Sequence, residues 1–262
     1  MSIESKLRTG QFDVDLQTKQ LTFLDIRFYA DGKGNYFPSV TTILDAYPKG
    51  AEFFKWLKEN GENADNIRDA AGESGSIVHS LTEAYDRGDI VSLVDADGKI
   101  RYKVNEWKMF ERYVEFSKEI NPEVLMTEYN IISPELGTAG TIDRKINLQI
   151  GHKKKKLLLD IKTSNSLHDH YWAQLAAYKK LDELAFPDEP PVDDVCILWL
   201  NARTRGASKT GAIQGKGWQL VFPDKSVEHY WKIFQATHLL WNEVNSGLKP
   251  NNIVYSIEHQ KQ

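Results

Sequence analysis

The chain has almost nothing that could staple it covalently. One of its 262 residues is cysteine, Cys196. That excludes a disulfide framework and a four-cysteine metal cluster within the chain, and a reducing cytoplasmic compartment is the expectation. Nine prolines and 17 glycines are too few for a collagen-like or low-complexity chain. No stretch reaches the roughly 20 apolar residues that a helix needs to cross a bilayer. The opening, MSIESKLRTG, has no apolar core of the kind a secretion signal carries, so no membrane association is expected. Positive charge is not in excess either: 33 Lys and Arg stand against 37 Asp and Glu, a net charge of −4. This argues against coating nucleic acid by bulk charge, and it leaves room for a local basic channel. What is present is a globular composition, 41% hydrophobic and 27% charged, in a chain long enough to bury a sizeable core.

Along the chain, residues 11–37 alternate and contain turn signals such as ADGKGN, which predicts a β-hairpin. In PSVTTILDAY, Ser39 is a candidate N-cap for a short helix. GAEFFKWLKENG predicts a second helix stopped near Gly61. Its aromatics, Phe53, Phe54 and Trp56, are mostly expected in the core, with one or two free to stack on bases beside Lys49, Lys55 and Lys58. Residues 63–87 predict a third helix with a stripe through Ile67, Ala70, Ala71, Ile77, Val78, Leu81 and Tyr85, and a kink at Gly72 or Gly75. Residues 103–120 are an amphipathic helix. Three strands follow in EVLMTEYNII, TAGTIDRKINLQI and KKLLLDIKTS. Then come a helix in DHYWAQLAAYKKLDEL, strands in DDVCILWLNA and GKGWQLVF, and a last helix closed by Gly247. With no repeat and no Pro/Ser-rich linker, one α/β domain over 1–262 is expected: a hairpin (1–37), a helical part (38–120) and a core with a C-terminal helix (121–262).

KKKKLLLDIKTS carries the chemistry. Leu157–Leu159 should be buried, yet the run ends in Asp160 and Lys162, which share a strand face. If Gly151-His152 forms a two-residue type II′ turn, Ile150 faces Lys153, and counting outward puts Asp143 opposite Asp160. Cβ atoms of opposed residues lie about 4.5–5.5 Å apart, and like charges there repel. A cation between them resolves the repulsion, and hard oxygen ligands select Mg²⁺ or Mn²⁺. The plainer alternative pairs Asp143 with Arg144 or a lysine at the edge of an exposed hairpin. His79, in GSIVHSLTEAY, and the i,i+4 pair Gln174 and Tyr178, in QLAAY, are unremarkable alone.

In order, Gly75-x-x-x-His79, Gly140-Thr-Ile-Asp143, Asp160-Ile-Lys162 and Gln174-x-x-x-Tyr178 resemble the motif set of the RecB-like branch of the PD-(D/E)XK nucleases. The likeness covers about residues 70–180, and YFPSVTTIL is similar to the opening of phage and mitochondrial genome maintenance exonucleases. The resemblance implies a restriction-endonuclease-like mixed sheet flanked by helices. It implies Asp143, Asp160, the Ile161 carbonyl and His79 as metal ligands. Lys162 would activate water or steady the scissile phosphate, and Gln174 and Tyr178 would position the site. Glu128, on the preceding strand, is a further candidate acid or a solvated strand residue.

The implied activity is Mg²⁺- or Mn²⁺-dependent hydrolysis of DNA, single-stranded or with free ends, in a bacterial or phage-infected cytoplasm alongside replication or recombination proteins. Rival readings are a structure-specific endonuclease on the same fold and a module that binds nucleic acid without cutting. Ile142 stands where the family name puts proline. Without the cysteines of some relatives, no iron–sulfur cluster is expected. GASKTGA has Ala212 where a phosphate loop needs lysine, so no ATP use is expected. The pair His168 and His170 is too small a set for a zinc site, and helix capping or phosphate contact is the better reading. The run Lys153–Lys156 is a solvated turn by default, with contact to DNA phosphates as the alternative.

Overall fold

Leu157, Leu158 and Leu159 lie in the middle of a sheet covered on both faces, and the other elements are arranged around them. The computed structural model describes residues 7–10, 15, 18–24, 26–201, 216–250 and 253–256. In chain order the elements are β1 (Leu7–Gly10), β2 (Gln20–Phe23), β3 (Ile26–Ala30), β4 (Tyr36–Pro38), α1 (Val40–Leu44), α2 (Ala51–Asn60), α3 (Ala64–Asp86) and α4 (Val104–Ile120). They continue with β5 (Glu123–Ser133), β6 (Thr138–Ile150), β7 (Lys153–Lys162), α5 (Asp169–Ala185), β8 (Asp194–Trp199), β9 (Gln219–Val221), α6 (Val227–Val244) and β10 (Ile253–Ser256). Strands β5 to β9 form one sheet in that order, antiparallel except for the parallel pair β7 and β8. The expected α/β class, a mixed sheet flanked by helices, is therefore present.

The apolar run of β7 follows from its position. Leu157, Leu159 and Ile161 pack with Val78 of α3 and Tyr113 and Phe116 of α4. Leu158 packs on the other side with Leu175 and Leu181 of α5 and with Phe234 of α6. A strand with helices over both faces has no solvent side, so its alternation disappears. Each such leucine contributes about 1.5–3 kcal/mol by leaving water. Ser39 caps α1 as expected, its hydroxyl accepting from the Thr42 amide.

Three expectations need correction. The N-terminal hairpin is a three-stranded antiparallel sheet, β2-β3-β4, because Tyr36–Pro38 turns back onto β3; residues 11–14, 16, 17 and 25 of the expected span lie outside the described residues. Helix α2 has no buried residue: Phe53 and Phe54 are 40% and 54% exposed. It stands clear of the sheet, so its aromatics pack on one another, with Phe53 and Trp56 stacked, instead of in the core. The stripe on α3 holds only in its second half. Val78 and Leu81 are buried, while Ile67, Ala70 and Ala71 are exposed, and the helix runs unbroken through Gly72 and Gly75. Among the described residues no helix is long and apolar enough to cross a membrane.

Candidate metal centre

The hairpin of β6 and β7 has the expected register. Rungs run from Ile150↔Lys153 to Arg144↔Leu159, and the turn between them has positive φ at Gly151 and not at His152, as type II′ requires. The ladder stops one rung short of Asp143 and Asp160. There Asp143 Oδ2 accepts from the Ile161 amide at 2.7 Å, a side chain taking the place of a backbone partner.

At the same level the side-chain alternation of both β5 and β6 slips. Lys145 reaches Asp182 of α5, and Ile142, three residues away, packs in the α5 cluster too. Strict alternation would put residues three apart on opposite faces. Arg144, between them, faces α3 and α4. Across the ladder the pairs Thr127↔Arg144 and Tyr129↔Ile142 bracket Glu128. Glu128 has φ +43, a conformation that costs a non-glycine residue about 1–3 kcal/mol and persists where the surroundings impose it.

The slip gathers candidate ligands. A nitrogen of His79 and carboxylate oxygens of Glu128 and Asp143 all lie within 4.8 Å of one another. His79 Nδ1 is 3.4 Å from Glu128 Oε1 and 3.5 Å from Asp143 Oδ2, and Nε2 is 3.1 Å from the Ile161 carbonyl. Burial alone would depress the imidazole. The carboxylates of Asp143, Glu128 and Asp160 outweigh it and push it up to about 9. At neutral pH the ring is thus an imidazolium whose two N–H groups face the three acceptor oxygens. It touches Asp143 and the Ile161 carbonyl, two of the ligands that the sequence reading assigned to a cation.

Asp160 lies beside this group and not within it. Its Oδ2 is 2.7 Å from Lys162 Nζ, an ion pair largely withdrawn from solvent. Gln174 joins the parts: its amide donates to Asp160 Oδ1 (3.3 Å) and to Tyr178 Oη (3.0 Å), and its carbonyl accepts from Lys162 (3.1 Å). Burial pushes Asp160 up to about 6, with Lys162 opposing. Burial pulls Lys162 down, but the neighbouring Asp160 outweighs it and the ammonium is held above its ordinary value. The Lys162 ammonium also sits 4.4 Å over the ring of Tyr171.

The two motif glycines differ in how closely they are packed. A Cβ on Gly140 would stand 2.6 Å from the Tyr178 ring, and one on Gly75 would stand 3.3 Å from Thr163 Oγ1. The plainer account of Asp143, an edge residue paired with Arg144, does not hold. Both are buried, and Arg144 bonds the Asp143 carbonyl, not its carboxylate. Arg144, with its partners Thr82 and Asp86, is what reading the sequence missed. The available signal was the spacing His79, Thr82, Asp86, one face of a helix. His168 precedes α5 but makes no capping bond; it stacks on His170. Lys154 pairs with Glu123 and Lys156 lies near Glu189, in keeping with the solvated turn. The segment with GASKTGA lies outside the described residues.

The chemistry of the donor set fits a small divalent cation. Two carboxylates, one backbone carbonyl and one imidazole converge, and the buried Asp160 carboxylate, paired with the Lys162 ammonium, lies beside them. Carboxylate and carbonyl oxygens suit Mg²⁺ and Mn²⁺, and imidazole tilts the set toward Mn²⁺. No family model matches the chain, and no curated protein is significantly similar to it.

Proposed function

We propose that the protein is a metal-dependent deoxyribonuclease of restriction-endonuclease-like fold, an exonuclease on single-stranded or free-ended DNA that serves replication or recombination in a bacterial or phage-infected cell. The observation that carries this reading is the convergence of His79, Glu128 and Asp143 where β6 and β7 part, with Asp160 and Lys162 alongside. Asp143, Asp160, Glu128, the Ile161 carbonyl and neutral His79 would hold the ion. Bound Mg²⁺ or Mn²⁺ supplies a Lewis acid for the phosphate and an acidified water.

The chain's own groups do the rest. Lys162 is protonated, so it steadies a non-bridging phosphate oxygen and does not take the proton from water. Its charge offsets the negative charge that grows on the phosphate as the water oxygen, its proton passing to solvent, bonds to phosphorus and the opposite P–O bond breaks, the leaving oxygen taking a proton from solvent. Gln174 fixes both Lys162 and Asp160, and Tyr178 fixes Gln174. Burial holds the Tyr178 phenol well above its ordinary value, so it keeps its proton. Nothing in this scheme uses an iron–sulfur cluster or ATP.

The test is incubation with end-labelled linear and circular single strands in Mg²⁺, in Mn²⁺ and in EDTA. Mononucleotides or short products from linear DNA with either ion, none from circles and none in EDTA, are expected. Full activity in EDTA overturns the metal mechanism, and nicked circles move the reading to an endonuclease. Strands bound but intact with both ions make it a non-cleaving module.

A further inference from the structure

Arg144 is fully buried, and four hydrogen bonds leave its guanidinium. Nε donates to Asp86 Oδ2 (2.6 Å) and Nη2 to Thr82 Oγ1 (2.9 Å), both on α3. Nη1 donates to Glu128 Oε1 (3.2 Å) and to the backbone carbonyl of Asp143 (2.7 Å). The partners are not scattered. Thr82 and Asp86 lie three and seven residues after His79 and so share its helix face, and the Thr82 hydroxyl also donates to the His79 carbonyl. One planar group therefore touches the helix that carries His79, the carboxylate of Glu128 and the backbone of Asp143. These are the three residues whose ligand atoms converge.

We propose that Arg144 is a positioning residue of the metal centre: its fork sets the distance of Glu128 and of the His79 helix from Asp143, and with it the affinity for the ion. The proposal rests on the nuclease reading. A bare structural ion pair would need Asp86 alone, and the Tyr113 hydroxyl already supplies Asp86 with a donor at 2.6 Å. The bonds to Glu128 and to the Asp143 carbonyl add nothing to that pair and everything to ligand geometry. Lysine carries the same charge but offers a single nitrogen, which cannot span three elements. Groups that orient metal ligands in this way change metal affinity by about 10–100-fold when replaced.

The experiment is Mn²⁺ titration followed by electron paramagnetic resonance, with no DNA present, on wild type, Arg144→Lys, Glu128→Gln and the double variant, each checked for fold by circular dichroism. Arg144→Lys is expected to weaken Mn²⁺ binding by about tenfold or more. In the Glu128→Gln background the same change is expected to weaken binding clearly less, because part of what Arg144 positions is already gone. Should Arg144→Lys not fold, Thr82→Val is read instead; it removes one acceptor of the fork, and a several-fold loss of Mn²⁺ affinity is expected. Wild-type Mn²⁺ affinity in a folded Arg144→Lys, or in Thr82→Val where that is the variant read, overturns this proposal alone, as do fully additive losses. A wild type that binds no Mn²⁺ overturns both this proposal and the nuclease reading.

Discussion

The ligand role proposed for His79 excludes the protonation state in which the structure holds it. As an imidazolium, with its proton held up to about 9, it donates toward Glu128, Asp143 and Ile161. As a ligand it must be neutral. Metal and proton therefore compete, and Mn²⁺ affinity is expected to rise with pH from 6.5 toward 9, by up to about tenfold per unit where one proton is displaced. His79→Ala should flatten that slope, weaken Mn²⁺ binding, reduce the preference for Mn²⁺ over Mg²⁺ and cut activity sharply. A slope unchanged in His79→Ala removes the residue from the ligand set. The metal-free protein reads the same group with the opposite sign. The folded value lies above the ordinary 6.5, so the stability His79 adds is complete below about 6.5 and is lost as pH rises through about 9. Lys162 calls for a different measurement. Lys162→Ala is expected to lower turnover by about 10²-fold or more while DNA affinity, measured with Ca²⁺ in place of the active ion, changes little. Equal losses in binding and rate would make it an ordinary phosphate anchor.

At the scale of the element, the close approach of Gly140 to Tyr178 gives a sharp expectation. Gly140→Ala pushes Cβ into the Tyr178 ring, a misfit that costs about 1–3 kcal/mol, and it disturbs Gln174 through the Tyr178 hydroxyl. Melting temperature and turnover should both fall. Gly75→Ala meets only Thr163 Oγ1 at 3.3 Å, and alanine favours the helix by about 1 kcal/mol, so its melting temperature should stay near wild type. A Gly140→Ala protein as stable as Gly75→Ala would deny the tight contact. The elements themselves were largely legible. The predicted span of β6 and its register with β7 match the structure, because Thr138–Ile150 is rich in β-branched residues and Gly151 sets the turn. Burial was less legible. Phe53 and Phe54 read as core, since composition cannot say that α2 stands clear of the sheet. Glu128 was ambiguous because no propensity places a left-handed glutamate inside a strand. Arg144 entered only in the plainer alternative for Asp143, as an edge cation, because its partners Thr82 and Asp86 come from a helix remote in the chain.

At the scale of the whole molecule, the candidate ligands come from different layers. His79 rises from α3 on one side of the sheet, while Asp160 faces Gln174 of α5 on the other. An ion bound only by the folded state stabilises it by mass action, about 2.7 kcal/mol at a hundredfold excess over its dissociation constant. Mn²⁺ should therefore raise the melting temperature of wild type and leave that of an Asp143→Asn variant nearly unmoved. No shift in wild type would argue against a preformed site.

The slip in β5 and β6 bears on more than ligand geometry. A regular strand presents alternate residues to the two helical layers, as Leu157, Leu158 and Leu159 of β7 do. Where Ile142 and Lys145 both look toward α5 and Arg144 between them looks toward α3, a single short stretch of backbone is in contact with both layers. It acts as a hinge pin passing through the sheet. Tightening the pin should be felt on both sides, so Mn²⁺ is expected to slow hydrogen exchange in α3 and in α5 together. Slowing confined to one of the two helices would mean that the layers respond independently and that the slip only places side chains.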